Sequence, residues 1–161
     1  MNQFKKVSFE IYKDSIGGDV NLRQEYDDIK LPKRATKYSA GYDFYSPCSF
    51  TLEPGESIKI PTGIRVQLDT DKVLLIVPRS GLGFKYKLNL WNDVGVIDAD
   101  YYNSDNEGHI FMKMINDNNE GKTLSIKKGE AIAQGIIVTY SVTDDDAADG
   151  VRNGGMGSTN G

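Results

Sequence analysis

Val7, Phe9 and Ile11 alternate with polar neighbours near the start of the chain, as do Ile58 and Ile60, then Ile64, Val66 and Leu68 on the far side of Pro61-Thr62-Gly63. Period two places successive apolar side chains on one face of a pleated ribbon, so these stretches predict half-buried strands. The run VLLIVP at 73–78 lacks alternation and predicts a short strand buried on both faces. IFMKMI (110–115) and AIAQGIIVTY (131–140) continue the series, with turn-forming NDNNEG and KKGE between them. Many short strands punctuated by Gly, Pro, Asn and Asp predict an all-β sandwich or barrel, and no long amphipathic helix is evident.

Two regions break this rhythm. Residues 13–36, KDSIGGDVNLRQEYDDIKLPKRAT, are polar and mixed in charge, and read as a surface insertion. After Tyr140 the alternation stops, and acidic DDDAADG leads into VRNGGMGSTNG. The expected organisation is one β domain over 1–150, with the insertion near 13–32, and a flexible glycine-rich arm over 151–161. By composition alone that arm is a loose terminus, since Gly, Ser, Thr and Asn bury too little apolar surface to offset the entropy of ordering.

Composition narrows the function classes. The chain has 161 residues, enough for one ordinary core, and its 39% hydrophobic and 26% charged fractions are those of a soluble globular domain. No apolar run spans a bilayer and no signal core opens the chain, so an intracellular, cytoplasmic protein is expected. The single Cys48 leaves no intrachain disulfide or cysteine cluster, and the single His109 leaves no site built of several imidazoles. With a formal charge of -4 and scattered lysines, neither a general nucleic-acid surface nor membrane binding is indicated. Any polyanion must be held by locally concentrated charge.

Candidate chemistry lies in two stretches. PRSGLG (78–83) follows the buried-type strand and offers a guanidinium, a hydroxyl and closely approachable N–H groups, a set that holds phosphate oxygens; a tight turn capped by Ser80, with Arg79 in a structural ion pair, stands equally beside it. NDVGVIDADY (92–101) ends an apolar strand on Asp98, with Tyr101 three residues on: a carboxylate that can act on water and a ring that offers a face to a base or sugar. A surface aspartate beside a core tyrosine is the plainer alternative. Gly121-Lys122-Thr123 lacks the remaining P-loop pattern, Asp98-Ala99-Asp100 lacks EF-hand spacing, and DDDAAD reads as a solvated acidic linker.

In chain order, SAGYDFYSP (39–47), PRSGLG (78–83), NDVGVIDADYY (92–102), KKGEAIAQGII (127–137) and RNGGMGST (152–159) resemble the five motifs of the trimeric dUTP diphosphatases (dUTPases). The resemblance covers the chain from about residue 33 to its end. It implies a jelly-roll-like, β-clip type dUTPase fold, assembled as a homotrimer with sites at subunit interfaces, and hydrolysis of dUTP to dUMP and pyrophosphate with magnesium. Within it, Asp98 matches the aspartate that activates water, and Tyr101 the tyrosine that excludes a 2'-hydroxyl. Asn92, Gly95, Val96, Ile97, Asp98, Tyr101 and Phe111 fall in the uracil and deoxyribose pocket, with Met156 of the arm over the base. Arg79, Ser80, Gly81 and Gln134 match phosphate contacts, Ser80 also stabilising leaving-side charge. Arg152, Gly155, Gly157 and Ser158 would complete the phosphate site when the arm closes on a neighbouring subunit. Asp43 is expected to act on Mg2+ through its waters, with no direct protein ligand to the ion.

The chain departs from the family pattern in four places. YNSDNEGHI lengthens the hairpin tip after Tyr101, with Gly108 in place of the usual glycine; Met156 replaces a phenylalanine; the arm is one residue shorter between Arg152 and the glycines than in many members; and residues 1–32 carry little of the resemblance. Two other readings stand beside the first. One is a dCTP deaminase or bifunctional relative of the same fold, against which the VIDADY pattern and the lack of a Val-Glu-Pro-Gly-Trp run weigh. The other is a regulatory module, in which the 13–32 insertion or the long tip of the nucleotide-bound trimer contacts another protein.

Overall fold

A computed structural model describes residues 1–18 and 21–154. Twelve strands and three short helices run in the order β1 (Gln3–Lys6), α1 (Phe9–Ile16), α2 (Leu22–Asp27), β2 (Lys33–Arg34), β3 (Tyr42–Tyr45), β4 (Phe50–Leu52), β5 (Ser57–Pro61), β6 (Ile64–Gln67), β7 (Lys72–Pro78), α3 (Ser80–Tyr86), β8 (Leu88–Leu90), β9 (Gly95–Asp98), β10 (Phe111–Asn116), β11 (Leu124–Ile126) and β12 (Ala131–Thr139). A 3-10 turn, Ala99–Asn103, joins β9 to the long tip before β10. The largest sheet has the order β2-β3-β12-β7-β9; β5-β10-β8 form a second, and β1-β6 and β4-β11 pair separately. All of these pairings are antiparallel, and they enclose one apolar core running from Val7 to Ala133. The all-β expectation agrees with this architecture.

Three local expectations need correction. Val7, Phe9 and Ile11 do not share a strand, because Ser8 caps a helix: its hydroxyl accepts from the Ile11 N–H at 3.3 Å, and Gly17 ends α1 in the left-handed region. The alternation of three residues straddled that helix start. The 13–32 stretch is not only surface either, since its Leu22 and Ile29 are buried, as is Tyr12 just before it. Gly63, at φ 73, is the position where a side chain would run into Ile29. Finally, β7 is buried on one face alone: Leu74 and Ile76 point into the core, while Val73, Leu75 and Val77 are half-buried on the outer face. Opposite them lie Val96 of β9 and Ile136 and Val138 of β12, leaving an uncovered apolar stripe across three strands. No helix among the described residues is long and apolar enough to cross a membrane.

His109 is wholly buried, its Nε2 accepting the Gly63 N–H at 2.9 Å. Burial pushes its pKa down to about 4, against a smaller opposing pull from Glu107. The unfolded chain binds this proton near pH ~6.5, so unfolding takes up a proton between the two values. Stability is therefore full above that range and falls as pH drops through it, by about 2 kcal/mol at pH ~5. Urea unfolding at pH 7 and 5 should show this loss, and His109→Gln, which retains an acceptor, should remove that share of it.

Candidate active site

β9 pairs with β7 in a register that sets Gly95 against Ile76 and Asp98 against Val73. A Cβ at Gly95 would meet Ile76 Cβ at 3.2 Å, a tight contact that Ile76 would have to yield to. The loop before β9 turns through Asp93 at φ 65, and Asn92 Nδ2 donates to the Val94 carbonyl at 3.2 Å. Beyond Asp98 the 3-10 turn carries Tyr101 inward, leaving it 4% exposed. Between β9, β8 and the start of β10 lies a cavity of about 370 Å³. Asn92, Gly95, Val96, Ile97, Asp98, Tyr101 and Phe111 all line it, together with Ile76, Leu90, Val94 and Met112. Ile76, Ile97 and Met112 lie in stretches read as strands, whereas Leu90 belongs to β8, a strand the sequence reading did not identify.

Arg152 reaches the same cavity. Its Nη2 donates to Asp98 at 2.7 Å and its Nε to Asp100 at 2.8 Å, so one guanidinium bridges two carboxylates of the same chain. The Asn153 carbonyl accepts from the Asp105 N–H at 3.3 Å, seating the foot of the arm on the tip. Arg152, for which a phosphate contact is expected, holds these two aspartates in the free chain, and Asp100 is a participant the sequence reading missed. Gly155, Met156, Gly157 and Ser158 lie outside the described residues.

The remaining candidates gather in a second cleft of about 210 Å³, lined by Asp43, Arg79, Ser80, Gly81 and Gln134. Strand register explains the grouping. Gln134 of β12 faces Asp43 on one side and Val77 on the other, with Arg79 following the end of β7. Gln134 Nε2 donates to the Pro78 carbonyl at 3.1 Å, and a side chain on Gly41 would collide with Gln134. Arg79 Nε lies 3.0 Å from Asp43 Oδ1, and its Nη1 donates to the Ala131 carbonyl at 3.3 Å. Ser80 begins α3 rather than capping it, and the helix has no side-chain cap. Its first bond runs from the Gly83 N–H to the Arg79 carbonyl, so the Ser80, Gly81 and Leu82 N–H groups precede the helical ladder and are directed outward. No group of three or more His, Cys, Asp or Glu that could hold a metal ion occurs among the described residues. Asp43, already paired with Arg79, suits an ion whose inner ligands come from elsewhere.

The two clefts do not meet within one chain. Asp98 lies opposite Val73 and Gln134 opposite Val77, on strands either side of β7. Four residue steps and two strand spacings separate them by about 15 Å or more.

The family model for dUTPase matches residues 27–159. The deoxyuridine 5'-triphosphate nucleotidohydrolase of Lactococcus lactis subsp. lactis is 42% identical over 146 residues, covering 89% of this chain and 96% of that protein. The enzyme of the same name from Hahella chejuensis is 40% identical over 141 residues, covering 83% and 88%. Among solved structures, the crystal structure of dUTPase from Streptococcus mutans superposes with a TM-score of 0.66 at 33% identity, covering 88% of this chain and 98% of that one. With two motif-bearing clefts on a β scaffold shared along nearly its whole length with these proteins, the chain belongs to the dUTPase family.

Proposed function

We propose that this protein hydrolyses dUTP to dUMP and pyrophosphate, working as a homotrimer, and so limits uracil incorporation into DNA. The observation that carries this reading is the cavity shared by Asp98 and Tyr101, walled by the edge strand β9. An edge strand keeps one row of main-chain N–H and C=O groups outside the ladder, and these can pair with the polar edge of uracil. A base with a different exocyclic pattern would leave such groups unpaired, which is costly in a closed site. The Tyr101 ring packs beneath the sugar, where its bulk leaves no space for a 2'-hydroxyl. Asp98 takes a proton from water as the water oxygen bonds to the α-phosphorus; the bond from that phosphorus to the bridging oxygen breaks, and pyrophosphate leaves.

The phosphates need the second cleft, with Arg79, Gln134, the Ser80 hydroxyl and the N–H groups at the start of α3 as donors. One triphosphate cannot lie against Asp98 and against these donors of the same chain, so the donors come from another copy. The uncovered stripe of Val73, Leu75, Val96, Ile136 and Val138 is the kind of surface such an assembly covers. Mg2+ would travel with the substrate and neutralise triphosphate charge, with Asp43 holding its waters. Light scattering should report a trimer, and an active monomer would remove the shared-site reading.

Pyrophosphate release from dUTP, UTP, dTTP and dCTP, with and without magnesium, tests the whole reading. Release from dUTP alone, dependent on the metal, is expected. Ammonia from dCTP would instead favour a deaminase of this fold.

A further inference from the structure

The two stretches that depart most from the family pattern, the N-terminal helices and the lengthened tip after Tyr101, meet each other in the fold. Glu107 of the tip accepts the Ser8 N–H at 2.7 Å, at the point where α1 begins. Arg65 lies 3.6 Å over the Tyr102 ring, donates to the Tyr102 carbonyl at 2.6 Å and approaches Glu107 at 4.0 Å. Tyr12 of α1 packs near the His109 ring, with centroids 6.2 Å apart. The tip also folds down on its own base. Gly108, at φ 72, sits so close that a Cβ would meet the Tyr101 carbonyl oxygen and the Tyr102 Cα, both at 2.7 Å. Glu107, with φ 61, adopts a backbone conformation that is unfavourable for a non-glycine residue and persists where its surroundings hold it.

The Tyr101 hydroxyl is the point on which these contacts converge. It donates to the His109 carbonyl at 2.5 Å and lies 2.9 Å from Asn106 Nδ2. The Gly108 N–H can only donate, so the amide oxygen of Asn106 faces it, at 3.1 Å, and Nδ2 is left to donate to Tyr101. Both partners of the hydroxyl therefore lie in the lengthened tip, and they pin the outer end of a side chain whose residue lines the cavity. Burial pushes the Tyr101 phenol up, which keeps it a neutral donor.

We propose that Asn106 is a positioning residue for sugar selection: it fixes the Tyr101 ring through its hydroxyl, within a tip that the N-terminal helices brace through Glu107. This rests on the reading of Tyr101 as the residue that excludes the 2'-hydroxyl. A ring whose hydroxyl keeps only one of its two partners can tilt, and a tilt opens room for one more oxygen.

The test is the ratio of kcat/KM for dUTP to that for UTP in the full chain. Asn106→Ser keeps a hydroxyl able to accept from the Gly108 N–H, so the turn is retained, but it is too short to reach Tyr101. The ratio should fall about tenfold, the loss expected of one buried hydrogen bond, with kcat for dUTP within about twofold of wild type. Tyr101→Phe removes this bond together with the one to the His109 carbonyl, and should lower the ratio at least as far. In that background Asn106→Ser should have no further effect, because the bond it removes is already gone. An unchanged ratio in Asn106→Ser or in Tyr101→Phe overturns the proposal, and so does an equal fall when Asn106→Ser is added to Tyr101→Phe. Should Asn106→Ser fail to fold, Asn106→Gly, which also lacks the Nδ2 donor and suits a turn, takes its place with the same outcomes. A wild-type chain that does not hydrolyse dUTP removes the functional reading itself, before any variant is compared.

Discussion

Asp98→Asn should bind dUTP and turn it over about 10³-fold more slowly than the unchanged chain, the scale on which a positioned general base contributes. The amide is isosteric with the carboxylate and can still orient a water, but it cannot accept the proton that the water must lose. Folding should survive the change. The Asp98 side chain is half exposed, and its contact with Arg152 is a surface ion pair of the kind that contributes at most about 1 kcal/mol. Single-turnover pyrophosphate release measures the chemical step, and calorimetry with a non-hydrolysable dUTP analogue measures binding. Asp100→Asn is the matched control: it removes the other carboxylate that Arg152 holds, two residues from Asp98, and should change the chemical step far less. A tenfold or smaller effect of Asp98→Asn with intact binding, or equal effects of the two substitutions, would move the base elsewhere.

The β architecture was legible because most of its strands bury one face, and burial of one face writes period two directly into the sequence. Ile58, Ile60, Ile64 and Val66 occupy strands as that pattern requires. The helix at Phe9–Ile16 was not legible as alternation, since its start depends on one hydroxyl, that of Ser8, rather than on any period. The run at 73–78 spoke of two buried faces, yet one chain covers only one of them. The proposed assembly would account for that mismatch, since a sequence records the surroundings of a residue in the working complex. The candidate site residues stand in local motifs, and only the family resemblance, not any local pattern, groups them. Asp43, Arg79 and Gln134 come together through the β3-β12-β7 register, across 91 residues of chain from Asp43 to Gln134, and nothing local announces it. Asn106 and Asp100 escaped for a related reason: each acts through another side chain, so neither stands in a pattern of its own.

Removal of residues 151–161 should leave a folded protein of unchanged oligomeric state with kcat/KM for dUTP lowered by at least about 10²-fold, the cost of losing one charge-stabilising donor from a transition state. Folding should be unaffected because the apolar core ends at Ala133 and Val151 is 86% exposed. The large effect on activity follows from what Arg152 does in the free chain. Its guanidinium occupies Asp98 and Asp100, so the carboxylate proposed as the base has an oxygen engaged before substrate arrives. A triphosphate carries more negative charge than that pair and offers a guanidinium bidentate partners, so it competes for Arg152. Transfer of Arg152 to the phosphates would then clear Asp98 for water in the same movement that clamps the substrate. Arg152→Ala separates the two consequences. If clamping dominates, it should reproduce most of the truncation's loss, chiefly in kcat/KM. If freeing Asp98 from its partner dominates, Arg152→Ala would keep wild-type activity or exceed it, and the phosphate role assigned to Arg152 would fall. Arg152→Lys retains the charge without the planar fork and should recover only a minor part of the loss.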